Sequence, residues 1–117
     1  MRLLLAFIRA SRLDALIDAL GDHHVQGLSI SRCEGFGQEH DAGHPQHKDH
    51  LGVDLTSKLR IELVCSEDEV EELLKTLFDV LHTGKAGDGK VFVLPVLDAL
   101  RLMTGERGPN ALGPSTH

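Results

Sequence analysis

Tryptophan and tyrosine do not occur in this sequence, and its aromatic content is four phenylalanines in 117 residues. A core built from it must rest on the packing of Leu, Val and Ile. Cysteine is scarce too. Cys33 and Cys65 share no C-x-x-C spacing and do not make a disulfide framework, so both are expected as buried free thiols of a reducing cytoplasm. There is no run of basic residues, and the formal charge is −6, which argues against nucleic acid as a partner because phosphate binding needs a basic face. Long apolar runs are missing as well. The stretch Leu3–Ile8 near the start is too short for a signal peptide, no small-residue cleavage site follows it, and nothing elsewhere is long enough to span a bilayer. A soluble, cytoplasmic protein is expected. No nucleophile elbow, paired-carboxylate set or H-E-x-x-H pattern occurs, so the chain is not expected to be an enzyme.

What is present suits one compact domain, with a modest buried fraction that self-association would increase. The apolar run at 2–8 reads as a first strand. Ser11 offers an N-cap with Asp14 three residues on, and Leu13, Leu16, Ile17 and Leu20 form one helical stripe closed by Gly21. A loose alternation from Val25 to Glu34 predicts a second strand. Leu59, Ile61, Leu63 and Cys65 alternate as a third. Ser66 and Glu69 spell a capping box ahead of Val70, Leu73, Leu74, Leu77 and Leu81, a second amphipathic helix. Val91–Val96 is a fourth strand weakened near its end by Pro95, residues 98–103 are a short closing element, and residues 107–117 are a polar tail. Two βαβ units in this order predict an α+β fold of the ferredoxin-like kind. It has a four-stranded antiparallel sheet with both helices on one face. The other sheet face then needs cover, and a second copy of the chain is the simplest cover.

Two segments carry chemistry. In Thr83-Gly84-Lys85-Ala86-Gly87-Asp88-Gly89-Lys90 three glycines permit close backbone approach and two lysines supply positive charge, the composition of a phosphate cradle, although no Walker pattern is present. On composition alone the stretch is equally an ordinary Gly-rich connection. Between Gly35 and Thr56 no apolar period survives. The segment holds four Gly, one Pro and four His, and loops of this length are usually functional or disordered. His40, His44, His47 and His50, with Asp41 and Asp49, have the donor types and spacings for zinc, nickel, copper or cobalt. A solvated loop that meets metal only incidentally is the other reading, since Gly43 and Pro45 leave no fixed geometry. A metal-sensing module, linked to heavy-metal efflux, is therefore carried as the alternative function.

The stretch TGKAGDGK followed by Val91-Phe92-Val93 and by Leu100-Arg101-Leu102-Met103-Thr104-Gly105-Glu106 resembles the B-loop and following strand of the PII signal-transduction family. Gly35-Phe36-Gly37 is similar to the start of that family's T-loop, and Lys58-Leu59-Arg60-Ile61-Glu62 to the strand leaving it. The likeness spans residues 1–106, with residues 36–56 as the T-loop-like segment and 83–90 as the B-loop-like turn. It implies a homotrimer with adenine-nucleotide sites, for ATP, ADP or AMP, in clefts between subunits, and a regulated partner such as a membrane transporter. The carried-over site residues are Gly35, Gly37, Gln38, Lys58, Thr83, Gly84, Gly87, Asp88, Gly89, Lys90 and Arg101. Gly87 to Lys90 would hold the phosphates, with Arg101 as a second cation. Departures from the family pattern are informative. Gln38-Glu39 replaces the usual Arg-Gln, and a carboxylate at Glu39 would repel 2-oxoglutarate. Leu51 stands at the register of the modified Tyr. Met103 stands where a second phosphate-facing Arg is usual, which implies weaker triphosphate binding and a shift toward ADP or AMP.

Overall fold

The computed structural model of the chain describes residues 1–23, 25, 27–36, 46–48 and 54–113. The elements run β1 (Arg2–Ile8), a 3-10 turn (Ala10–Arg12), α1 (Leu13–Gly21), β2 (Ser29–Gly35), β3 (Gln46–Lys48) and β4 (Asp54–Cys65). A second 3-10 turn (Glu67–Glu69), α2 (Val70–Leu81), β5 (Lys90–Pro95) and a last 3-10 turn (Gly108–Ala111) follow. The sheet order is β2-β4-β1-β5, with β3 also paired to β4, and every pairing is antiparallel. This is the ferredoxin-like arrangement expected from the element order.

The core follows from strand alternation. Leu4, Ala6 and Ile8 of β1 lie opposite Leu63, Ile61 and Leu59 of β4 and are almost fully buried. Successive side chains of a strand point to opposite faces, so these six share one face. Leu16 and Leu20 of α1 and Val70, Leu73, Leu77 and Leu81 of α2 close over it. Burying a side chain of this size contributes about 1.5–3 kcal/mol, which is why the leucine-rich stripes rather than aromatic anchors hold the domain.

The opposite sheet face carries Leu3, Leu5 and Phe7, half-buried, beside Val64, Phe92 and Leu94, which are 38–48% exposed. Phe7 and Phe92 meet edge to face with centroids 6.4 Å apart. Arg60 and Glu62 pair with each other on this face at 3.0 Å, so the two charges offset one another on an otherwise largely apolar surface.

Several local expectations are corrected. Ser11 does not cap α1; it lies inside the 3-10 turn, and the helix begins at Leu13 with no side-chain cap. The adjacent Arg12 instead donates from Nε to the Val80 carbonyl near the end of α2 at 3.2 Å, tying the two helices together. The second strand begins at Ser29 rather than Val25, because Val25 and Leu28 are spent packing against the core. The third long strand begins five residues before its apolar alternation, at Asp54, since Thr56 is paired on one side by Gly35 and on the other by Gln46. Residues 98–103, expected only as a short closing element, take a definite form. Arg101 N–H donates to the Glu106 carbonyl (2.8 Å), and Leu100 bridges Arg107, so this closing element is a tight hairpin. The capping box stands as expected: Glu69 Oε1 accepts from the Ser66 N–H (3.1 Å) and hydroxyl (2.6 Å). Among the described residues no helix is long and apolar enough to cross a membrane.

Candidate functional site

The connection from α2 to β5 is organised around one carboxylate. Asp88 accepts from the Thr83 N–H (2.8 Å), the Thr83 hydroxyl, the Gly84 N–H (2.9 Å) and the Arg9 guanidinium (2.6 Å). The second guanidinium nitrogen of Arg9 reaches the Ala86 carbonyl at 2.8 Å, so one arginine braces both limbs of the loop from the end of β1. The Thr83 hydroxyl also receives the Lys85 N–H at 3.3 Å. The Thr83 hydroxyl and N–H, then Arg9, hold the Asp88 carboxyl far below the usual carboxylate range. This connection is therefore a braced loop and not an ordinary flexible turn.

Gly89 shows why only glycine serves at the base of the loop. Its φ is +97°, and a Cβ placed on it would lie 1.9 Å from the Phe7 carbonyl oxygen. Gly87 adopts the same φ of 97°, the left-handed conformation that side chains disfavour. The glycine spacing read from the sequence thus meets a backbone requirement.

Beside this loop, on the open sheet face, Gly35, Phe36, Lys58, Gly89 and Lys90 line a cavity of about 370 Å³ together with Phe7 and Phe92. Antiparallel register sets the arrangement: Lys90 lies opposite Phe7, and Lys58 opposite Cys33. Two lysines and a glycine-built backbone rim share this cavity with the Glu34 carboxylate, and the phenylalanine rings supply an apolar wall.

Of the residues singled out by sequence, Gly35, Lys58, Gly89 and Lys90 come together here. Thr83, Gly84 and Asp88 form the internal bracing of the loop. Asp88, expected to hold phosphate, spends its carboxylate on the loop's own donors. Arg101 is not in this cleft. It lines a separate hollow with Glu62 and Cys65, at the end of the sheet where Arg2 pairs with Cys65 and Pro95. From Lys90 to Pro95 is five strand steps, about 17 Å, so one chain does not bring Arg101 to its own Lys90 rim. Gly37, Gln38, His40, His44 and His50 lie outside the described residues. His47 falls in β3, where its backbone pairs with Leu55. Among the described residues no group of three metal-ligating side chains occurs.

Arg9 was not singled out from sequence, yet it is central here. Only the strand register reveals it: the β1–β5 ladder pairs Phe7 with Lys90, and its continuation puts residue 9 beside residue 88, a cation beside an anion.

The family model for nitrogen regulatory protein P-II matches residues 1–106. The chain is 36% identical over 112 residues to the nitrogen regulatory protein P-II of Cereibacter sphaeroides, covering 96% of this chain and 100% of that protein. It is 32% identical to the P-II protein of Azospirillum brasilense with the same coverage. The crystal structure of Arabidopsis thaliana PII bound to citrate superposes with a TM-score of 0.77 at 30% identity, over 99% of this chain and 93% of that one. The braced loop, the cleft on the open sheet face and the antiparallel βαβ pair are thus the parts of a chain that belongs to the P-II family of signal-transduction regulators.

Proposed function

We propose that this chain works as a homotrimer that binds adenine nucleotides, ATP, ADP or AMP, in clefts between subunits, and that nucleotide occupancy governs docking of its 36–56 segment on a partner protein. The observation that carries the reading is the joining of the Gly89–Lys90 rim to Lys58 and Gly35 in one cavity of about 370 Å³. Convergent N–H donors and cations are what a polyphosphate requires. The remote position of Arg101 supports a cleft completed by a neighbouring copy, since a second subunit can supply what one chain holds at its far end. The open apolar face offers the surface for such a neighbour.

Arg101 would then be the cation contributed across the subunit boundary. Met103, 78% exposed, gives no second positive charge beside it, which favours ADP or AMP over ATP relative to a site with two arginines. Glu39 disfavours 2-oxoglutarate as the co-sensed molecule, because two anions would face each other. The regulated partner is a protein in a membrane, such as a transporter, the class of partner that the family resemblance implies. The nucleotide shifts the docking equilibrium only by the difference in its affinity for the two loop states.

Isothermal calorimetry of the purified chain with ATP, ADP and AMP tests the reading. Saturable binding with ADP at least as tight as ATP is expected. Absence of heat with all three nucleotides overturns it.

A further inference from the structure

We propose that residues 108–113 form a latch on Arg101 that an anionic ligand must displace, so that nucleotide binding releases this segment; the proposal rests on the nucleotide reading above. One terminal nitrogen of Arg101 donates to both the Ala111 carbonyl (3.1 Å) and the Gly113 carbonyl. The other lies 4.0 Å from the Glu106 carboxylate, and the side chain is only 15% exposed. A terminal guanidinium nitrogen carries two protons, and the two carbonyls take both.

The segment is brought there by short-range structure. Gly108 N–H is shared between the Asp98 carboxylate (3.1 Å) and the Ala99 carbonyl (3.0 Å), which turns the chain back on the hairpin. Pro109 is the second residue of the 3-10 turn that begins at Gly108, and Leu112 N–H closes it on the Pro109 carbonyl at 3.1 Å. Pro109, Ala111 and Leu112 then wall a hollow of about 900 Å³ with Arg101, Glu62 and Val64. Arg101 and the latch thus line the same hollow, and a ligand that takes the nitrogen bonded to Ala111 and Gly113 displaces those carbonyls.

Two backbone carbonyls satisfy donors without adding charge, and the Glu106 carboxylate at 4.0 Å, beyond hydrogen-bond distance, offsets the arginine's charge only in part. A phosphate offers two acceptor oxygens in the planar geometry of a guanidinium together with the opposite charge, so it outcompetes neutral carbonyls once its other oxygens are held by lysines. The apparent affinity is lowered by the fraction of molecules whose Arg101 is unlatched. Reciprocally, bound nucleotide lowers the population of the latched state. Met103 makes the device effective, because no second arginine at that position would bypass it.

The test uses the full-length chain and a full-length variant, Pro109→Gly/Asn110→Gly/Ala111→Gly, which keeps Arg101 but loosens the turn. Calorimetry with ATP should give binding about 10-fold tighter for the variant, the size expected from freeing a charged hydrogen-bonding group. In the unaltered chain, hydrogen exchange at the Leu112 amide should speed up when ATP is added to saturation. Equal ATP affinities of the two proteins, or a Leu112 amide unchanged or better protected with ATP, overturn the latch and leave the nucleotide reading standing. If neither protein binds ATP, both readings fall.

Discussion

Arg9 and Asp88 are 79 residues apart in the chain and 2.6 Å apart in the fold. The pair locks the α2–β5 loop to the end of β1 with little freedom, since Arg9 is 11% and Asp88 21% exposed. Replacing Arg9 by Met should keep the fold, because no core side chain is lost, but unbrace the loop. On the nucleotide reading, a loop that must be ordered at each binding event should weaken ADP about 10-fold. Calorimetry on Arg9→Met beside the unaltered chain measures this, and an unchanged affinity would show that the brace serves only stability.

Acid sensitivity follows from the same carboxylate. Asp88 is held well below its ordinary value of 3.8 by the Thr83 hydroxyl first, then the Thr83 N–H and Arg9. A carboxyl with a depressed folded-state pKa contributes stability that is present above its unfolded value and lost as pH falls through the folded one. The loop should therefore remain braced at pH values where ordinary carboxyls are already protonated. NMR titration of the Asp88 side-chain carbon should show its midpoint well below 3.8, the ordinary aspartate value. An Asp88→Asn variant should lose this acid-resistant portion.

Gly89→Ala tests the backbone argument. The added methyl group would meet the Phe7 carbonyl at 1.9 Å, at a φ of +97°. Strain of this kind costs about 1–3 kcal/mol, so urea midpoints should fall accordingly, and the Lys90 rim should shift enough to weaken nucleotide binding. A midpoint equal to that of the unaltered protein would contradict the close approach.

Ser66→Ala removes the hydroxyl that bonds Glu69 at 2.6 Å at the entry to α2. Loss of such a cap costs about 1 kcal/mol, or about 4–8 °C in melting temperature for a domain near this size. Glu69 is itself held below its ordinary pKa by the Ser66 hydroxyl and N–H. The difference between variant and parent should therefore be largest above the ordinary Glu range and shrink as pH falls through the depressed value. Thermal melts by circular dichroism at neutral and acid pH measure both.

Phe92→Asp addresses the open sheet face. Phe92 is 48% exposed, packs edge to face on Phe7 and belongs to the apolar surface with Leu94 and Val64. A carboxylate there would replace apolar contact area with a charge that must be desolvated in any assembly that covers this face, a cost of several kcal/mol that the nearby Lys58 and Lys90 offset only in part. Light scattering should find the unaltered chain trimeric and Phe92→Asp monomeric. A trimeric variant would place the subunit contact on another surface.

The strand and helix positions were legible because their signals are local. Alternation at 59–65 and a helical stripe at 70–81 each need one row of side chains facing one core, and a period of two or near 3.6 encodes that directly. The glycine pattern at 84–89 was legible for the same reason, since a left-handed φ is a property of a single residue. Ser11 misled because a residue able to cap does not state whether the backbone there is helical, and here Arg12 and Val80 set the helix start and the link between α1 and α2.

By itself, then, the sequence determined the order of the four long strands and two helices, the core face and the position of the glycine-rich loop, all of which follow from short-range periodicity and backbone preference, but not the short strand β3 at Gln46–Lys48. Only the tertiary structure decided which way the charged groups turn. Asp88 faces inward to Thr83, Gly84 and Arg9 because the β1–β5 register delivers a cation to it, and that register is a relation between residues far apart in sequence. Arg101 likewise is a phosphate-facing cation by the family resemblance, yet strand length carries it to the opposite end of the sheet from Lys90, where carbonyls of residues 111 and 113 receive its protons. Local pattern specifies what a residue can bind; the long-range pairing of strands specifies what is within its reach.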